Sequence, residues 1–509
     1  MEKIANVLLF LKRYSLILIT VSYFTMNNIF LYLLILSVFY SSHAVLVLFD
    51  SPPRGYNTFD AYGYSNLNNI GVDTVIRQLA SSPISEYGYT MIYGFSGWAN
   101  TLNETSGEWL WHLDEYGLPI PAPERFSPGS MKEASVTAST LGLKFGLWHI
   151  RGIHSSAAAM KLPVKGMEQY TLDQLVDVES VGGGKNGSCL WNPDWLGVNT
   201  SHPAAQAYYD AVVSQLVSFG ASVIEMDCMM CEPCYRDEMI LFTEAVRKRP
   251  EPIILYYSPG GGNTPEDSQW VAQNQMASFY RTITDFHGEW YDWGGLQEII
   301  FIAGNFTTAS PSLFNANGTW PDLDQLPMDI NFWLGSDEVE LRDRGQLIAT
   351  LLMIGRYPLF SAGLLPLDLL TVEYLTNPIA LSINARQELL NKPTRIIYNG
   401  NCTCVGNIAS CIIPHGPDDH PGDPCISKWA AYVPSSNFTA FAIFNIGEDI
   451  ALSISTSFDE LGLQSSPLDR YRIIDVWTSV VLGEYAGDEV IVIDNLRKHA
   501  SLFYQIYAI

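Results

Sequence analysis

Short apolar runs alternate with amphipathic stretches from about residue 45 to residue 391. Phe145-Gly146-Leu147-Trp148, Val223-Ile224-Glu225-Met226 and Ile253-Ile254-Leu255-Tyr256 read as buried strands. Ala204 to Phe219 and Arg344 to Arg356 instead repeat their apolar positions at helical spacing. Repeated strand–helix units predict a parallel sheet with helical crossovers, and the length suits a (β/α)8 barrel. The alternation by itself fits a doubly wound sheet equally well.

After Asn391 the texture changes. Arg395 to Tyr398, Thr439 to Asn445, Ala451 to Ser455, Tyr471 to Trp477 and Glu489 to Asp494 are short β-rich runs separated by Gly, Asp and Ser. They predict an antiparallel β-sandwich over 392–509, behind a barrel over 45–391. Asn399 to Asp423 is rich in Cys, Pro and Gly and reads as a disulfide-pinned loop or insertion. No internal repeat is evident.

The 509 residues carry a formal net charge of −25, which argues against nucleic acid, whose binding depends on cationic neutralisation of phosphate. From Tyr14 to Phe49 there is no Asp, Glu, Lys or Arg, and Ser42-His43-Ala44 offers small residues for a signal peptidase. Residues 1–44 are therefore expected to be a signal peptide, with Met26 as an alternative start, or else an uncleaved anchor. Sequons at Asn103, Asn186, Asn199, Asn305, Asn317, Asn401 and Asn437 agree with a secreted or lumenal destination. Eight cysteines fall in two groups, Cys189, Cys228, Cys231 and Cys234, then Cys402, Cys404, Cys411 and Cys425. In an oxidising compartment, with no His beside the Cys228-x-x-Cys231-x-x-Cys234 run, they read as disulfides rather than as a metal site.

Two carboxylates stand out. Asp227 ends the run Val223-Ile224-Glu225-Met226, and Asp285 ends Tyr280-Arg281-Thr282-Ile283-Thr284-Asp285, with an arginine four positions before it. Both settings are apolar and strand-like, and barrel active sites collect where strands end. Paired carboxylates in different protonation states serve glycoside hydrolysis, one attacking the sugar and the other protonating the departing oxygen. Read separately, Asp227 is also a candidate helix cap and Arg281–Asp285 an ordinary i, i+4 surface pair.

The flanking residues resemble the melibiase group of glycoside hydrolases, which includes the α-galactosidases. Ser51-Pro52-Pro53-Arg54-Gly55-Tyr56-Asn57-Thr58-Phe59-Asp60 is similar to that group's opening strand. Leu118-Pro119 through Phe126 with Met131-Lys132, Leu141 to Trp148, Leu255 to Gly260, Gly318 to Leu326, and Tyr374 to Asn384 follow in matching order. The ending Asp475-Val476-Trp477, Leu482-Gly483 and His499-Ala500-Ser501 resembles the group's C-terminal β domain. The resemblance selects the barrel over the doubly wound sheet. It implies Asp227 as nucleophile, Asp285 as acid and base, Arg281 as support, no cofactor and no metal, and a Cys189–Cys228 disulfide tethering the nucleophile strand. Asp322 in Trp320-Pro321-Asp322-Leu323-Asp324 is expected to contact or brace the site and Asp324 to serve the fold. Trp98, Tyr56, Phe59 and Trp148 are candidate walls for a sugar ring.

Departures bear on specificity. Phe95 and Ser96 stand where α-galactosidases carry an Asp-Asp pair that grips sugar hydroxyls, and Glu225 stands where they usually carry Lys. Trp148-His149-Ile150-Arg151-Gly152-Ile153 resembles a plant-type branch associated with both α-galactosidase and β-L-arabinopyranosidase activity, which makes His149 a candidate substrate contact. The expectation is a retaining glycosidase acting on terminal α-D-galactosyl or closely related residues of an oligosaccharide or glycoconjugate. β-L-Arabinopyranosidase, α-N-acetylgalactosaminidase and a sugar-binding protein without turnover are the rivals. Membrane contact is expected only if the N-terminal segment is uncleaved, and a homodimer is left open.

Overall fold

The computed structural model describes residues 46–385, 395–399, 426–433, 437–447 and 450–509, apart from 65, 104, 106, 108, 179–186, 231–233, 259–263, 284, 287–295, 297–298, 301–302, 304–317 and 329–337. The segment through Ala44, the boundary placed at 391/392, the sequons at Asn186, Asn305, Asn317 and Asn401, Cys231, and the cysteines from Cys402 to Cys425 lie outside the described residues.

Eight parallel strands form one sheet: β1 (Arg54–Asn57), β2 (Met91–Tyr93), β3 (Lys144–Ile150), β4 (Val223–Asp227), β5 (Ile254–Tyr257), β6 (Phe279–Arg281), β7 (Trp320–Asp322) and β8 (Leu359–Ser361). Each strand from β1 to β6 pairs with the next in sequence, and β8 returns to pair with β1 through Arg54↔Leu359. That order is the connectivity of a (β/α)8 barrel. Among the described residues β7 and β8 share no ladder, but side chains span the gap. Phe279 and Phe360 lie 4.8 Å apart between ring centroids, and Tyr93 and Phe360 lie 5.1 Å apart.

Period-two alternation sorts each strand into an inward and an outward face. Val223, Tyr256, Phe279, Trp320 and Phe360 share one inward-facing cluster with Met91 and Tyr93. Ile224, Met226, Leu255 and Tyr280 belong instead to the larger core shared with the helices. The inward cluster leaves no room for further side chains on two strands. A Cβ on Gly146 would lie 2.6 Å from Tyr93 Cβ, and one on Gly55 would lie 2.8 Å from Met91 Cβ. The interior is therefore a packed plug beneath the C-terminal ends of the strands.

The helices α1 (Asn69–Ser81), α2 (Ser130–Thr140), α3 (Ala205–Ser218), α4 (Arg236–Arg247), α5 (Pro265–Gln273) and α6 (Glu338–Gly355) lie between strands in sequence. The predicted helix over 204–219 is α3, whose Tyr208, Tyr209, Val212, Val213 and Leu216 are buried at helical spacing. After β8 come α7 (Leu369–Thr376) and α8 (Pro378–Asn384). Asn377 caps α8, accepting from Ile379 N–H and Ala380 N–H, with Pro378 in the first turn.

The C-terminal region is antiparallel. β9 (Arg395–Asn399), β10 (Ile426–Val433), β11 (Phe438–Asn445), β13 (Arg470–Asp475), β14 (Val481–Ala486) and β16 (Ser501–Ala508) form a six-stranded sheet. β12 (Ala451–Ser457) and β15 (Val490–Leu496) form a second, two-stranded sheet. Ile454 and Ile491 from the small sheet share a core with Phe441, Ile473 and Ile506 from the large one, which is how a sandwich buries two apolar faces. The opposite face of the large sheet rests on α6. Gln346 Nε2 donates to Ser501 O at 2.9 Å, and Trp477 Nε1 donates to Thr350 Oγ1 at 3.2 Å.

Candidate functional site

The inward positions of β4 are Val223, Glu225 and Asp227, so the alternation that plugs the barrel with Val223 delivers two carboxyl groups above the plug. On β6 the same alternation carries Phe279 inward and then Arg281. On β7 it carries Trp320, Asp322 and then Asp324 just beyond the strand. A cleft of about 840 Å3 opens over these ends, lined by Glu225, Asp227, Ser258, Arg281, Asp285 and Gln325 on its floor.

Asp227 is fixed from two sides. Its Oδ1 accepts from Cys228 N–H at 2.6 Å, and its Oδ2 accepts from Trp148 Nε1–H at 3.3 Å. Cys228 follows with φ +60°, a left-handed turn that ends the strand. Its sulfur is bonded to Cys189, as the resemblance implied, so the loop carrying Trp191, Asn192 and Asp194 is tied covalently beside the nucleophile candidate. Burial, with the charge of Asp285 added, pushes the Asp227 carboxyl up to about 6, against the opposing pull of Arg281.

Arg281 organises the rest. It ion-pairs with Asp285 on one side and with Asp324 at 2.6 Å on the other, and donates to Ser258 Oγ at 2.7 Å. Asp324 also accepts from Phe286 N–H at 2.9 Å, which fixes the chain just after Asp285. Asp324 side-chain atoms are wholly buried, whereas the Asp285 side chain is 49% exposed to the cleft. Burial opposes the Arg281 charge, but Asp324 and Asp285 outweigh it and hold the guanidinium firmly protonated. Glu225 is buried at the cleft floor with Oε2 unpartnered. Burial, and then the charge of Asp227, push its carboxyl well above the usual range.

Of the residues singled out in the sequence, Asp227, Asp285, Arg281, Glu225, Phe59 and Trp148 line the cleft. Tyr56, His149, Trp98 and Asp322 do not, and alternation explains the first two. Tyr56 lies between inward-facing Gly55 and Asn57, so it points outward and donates to Gly363 O at 2.7 Å. His149 follows inward-facing Trp148 and is buried against Trp195, where burial pulls its imidazole down to about 3. Asp322 is one inward layer too deep: it accepts from Tyr256 OH at 3.0 Å, and burial followed by Asp324 raises it to about 7. Trp98 is buried and donates to Trp148 O at 2.7 Å, so it supports the wall from behind. Asp324, assigned to the fold in the sequence, is the residue that holds Arg281. Ser96 lines the cleft, while Phe95 turns away to stack on Phe145 at 5.3 Å.

Sequence reasoning missed Tyr64, Trp109, Leu110, Trp111, Trp191 and Ser258, all of which line the cleft. Trp109 and Trp111 belong to a hairpin, Asn100–Leu102 with Trp109–Trp111, inserted after β2. Its alternating Trp-Leu-Trp was the available signal. Among the described residues no cluster of His, Cys, Asp or Glu suits a metal ion.

Comparison with solved structures follows this geometry. The chain superposes on a GH27 β-L-arabinopyranosidase from Geobacillus stearothermophilus with TM-score 0.70 and 22% identity, covering 90% of this chain and 96% of that one. A Bacillus halodurans protein provisionally assigned as an α-N-acetylgalactosaminidase gives TM-score 0.66 and 22% identity over 90% and 97% of the two chains. α-Galactosidase I from Mortierella vinacea gives 0.58 and 15% over 92% and 98%. The chain shares their fold. No protein-family model and no curated protein sequence matches it.

Proposed function

We propose that this protein is a retaining glycoside hydrolase that removes terminal α-D-galactosyl or similarly shaped residues. The observation that carries the reading is the convergence of Asp227 and Asp285, from the ends of β4 and the β6 loop, on one cleft with Arg281 between Asp285 and buried Asp324. The fold neighbours named above, themselves glycosidases by name, support the same reading.

Asp227 is the nucleophile. Trp148 Nε1–H and Cys228 N–H orient its carboxylate, which attacks the anomeric carbon as the glycosidic bond breaks. Asp285, on the open side of the cleft, gives its proton to the leaving oxygen and then takes one from the incoming water. Arg281 keeps Asp285 in place. Glu225, whose carboxyl burial pushes toward the protonated form, faces a sugar hydroxyl at the floor. The sequons and the disulfide support a secreted or lumenal setting for this activity.

One observation favours β-L-arabinopyranoside over α-D-galactoside. The cleft wall at Ser96 carries no carboxylate, and this sugar is α-galactose without the hydroxymethyl arm such a group would hold. The test is a panel of nitrophenyl α-D-galactoside, β-L-arabinopyranoside and α-N-acetylgalactosaminide, with product anomers followed by NMR. Hydrolysis with net retention, lost in Asp227→Asn, is expected; a folded protein that releases none of the three sugars, or that inverts, overturns the reading. Azide added to Asp227→Gly should restore turnover and give the inverted glycosyl azide, which assigns the nucleophile independently.

A further inference from the structure

Three large apolar side chains stand exposed at the mouth of the cleft: Trp109 at 40%, Leu110 at 49% and Trp191 at 45%. They come from two elements, the inserted hairpin and the loop beside Cys189. Neither tryptophan is needed to anchor its element. Trp111 does that for the hairpin, packing edge-on against buried Trp195 at 4.8 Å, and the disulfide does it for the loop. Both exposed rings are nonetheless held in place. Trp109 packs edge-on against Tyr64 at 4.8 Å, and Trp191 lies 6.4 Å from Trp148. Trp148 in turn donates to Asp227, so aromatic rings run without a break from the nucleophile to the rim on both sides.

We propose that Trp109 and Trp191 form a subsite for a second sugar ring, the one across the scissile bond, so that the substrate is the end of an oligosaccharide. The proposal deepens the glycosidase reading and rests on it. A pyranose presents a flat patch of C–H groups ringed by hydroxyls, and it needs an aromatic face with polar groups alongside. Asn192 and Asp194 supply those groups next to Trp191. The volume agrees: about 840 Å3 lies near the upper end of the ~300–1,000 Å3 of small-molecule sites, more than one monosaccharide fills.

The experiment compares melibiose, an α-D-galactosyl disaccharide, with methyl α-D-galactoside on wild type, Trp109→Ala and Trp191→Ala. If the panel shows β-L-arabinopyranoside to be the substrate, the corresponding disaccharide and methyl glycoside replace them. Each variant is expected to lose about three- to tenfold in kcat/KM on the disaccharide, the weight of one aromatic stack, and less than twofold on the methyl glycoside. Equal losses on both substrates, or none on either, would overturn the subsite. Calorimetric binding of the disaccharide to Asp227→Asn, with and without Trp109→Ala, gives a readout that does not require turnover. Weaker binding on loss of the tryptophan supports the subsite, and unchanged binding removes it. Absence of hydrolysis by wild type would strike the glycosidase reading alone, leaving the calorimetry to judge the rim.

Discussion

Arg281 and Arg151 are both buried, both paired with a buried carboxylate, and both lie at C-terminal strand ends of the same sheet, with two strands between them. Arg151 is sealed. It ion-pairs with Glu238, donates to Cys228 O at 3.0 Å and to Gly187 O, and lies 3.4 Å over the Tyr235 ring. Every partner is protein, and Glu238 is itself closed off by Tyr209. Arg281 has the same construction on its Asp324 side, but its other carboxylate, Asp285, faces the cleft. An identical pairing chemistry therefore builds a structural brace in one place and a candidate catalytic device in the other. What differs is whether one carboxylate is left for something else to approach.

The comparison can be broken in several ways. Asp227→Asn is expected to lower kcat at least ~1,000-fold while the chain stays folded, because on the proposed mechanism it removes the reacting group and not a brace. Steady-state rates beside a circular-dichroism melt check both halves. Arg151→Met leaves Glu238 buried without its cation and should cost about 3–5 kcal/mol in denaturant unfolding, with the remaining folded molecules active. Arg281→Lys keeps the charge but cannot reach Asp285, Asp324 and Ser258 together, so kcat/KM should fall roughly 10–100-fold with a small change in melting temperature. If Arg281→Lys instead unfolds the protein without touching the rate of what survives, the distinction between the two arginines disappears.

Titration sharpens it further. The folded-state carboxyl of Asp227, raised to about 6, lies above the ordinary value of 3.8, so the native state binds a proton the unfolded chain has released. This group therefore destabilises the fold at neutral pH, and the penalty fades as pH falls from about 6 toward 4. Asp227→Asn should stabilise by roughly 1–3 kcal/mol at pH 7, with the gain shrinking below pH 6. In the intact protein kcat/KM should rise with pH through about 6 as Asp227, the proposed nucleophile, ionises. The smallest effect belongs to the largely exposed Arg497, paired with Asp343 at 2.6 Å between the sandwich and α6. Arg497→Ala should cost no more than ~1 kcal/mol by chemical denaturation.

The barrel was legible because buried parallel strands write themselves as apolar runs. The Val223–Met226 run predicted in the sequence is β4 almost to the residue. The carboxylates were legible because each interrupts such a run. Strands were missed where the pattern carried no contrast: β16, Ser501–Ala508, is buried on both faces in mid-sheet, so its residues do not alternate in polarity. Choosing among site aromatics failed for a different reason. Tyr56 and Phe59 are three positions apart in one motif, and only the register of β1 decides that the first faces the helices. Asp322 and Asp324 share an inward face, and only height along the strand separates the brace of Arg281 from a residue sealed beneath it. Trp109 and Trp191 belong to insertions whose distance from the carboxylates along the chain hides how close they lie in space.

The aromatic plug at the centre of the barrel carries a last consequence, for kinetics rather than for binding. Tyr93, Tyr256, Phe279 and Phe360, packed beneath Glu225, close the cleft from below. Whatever rests on Trp109 and Trp191 lies between Asp227 and solvent. Departure is then a queue: the outer fragment must leave before the inner one, and a returning outer fragment blocks the exit of the inner. On the proposed double displacement, product inhibition by the outer fragment should be competitive with water's access to the glycosyl-enzyme, so that strong acceptors divert turnover from hydrolysis to transfer.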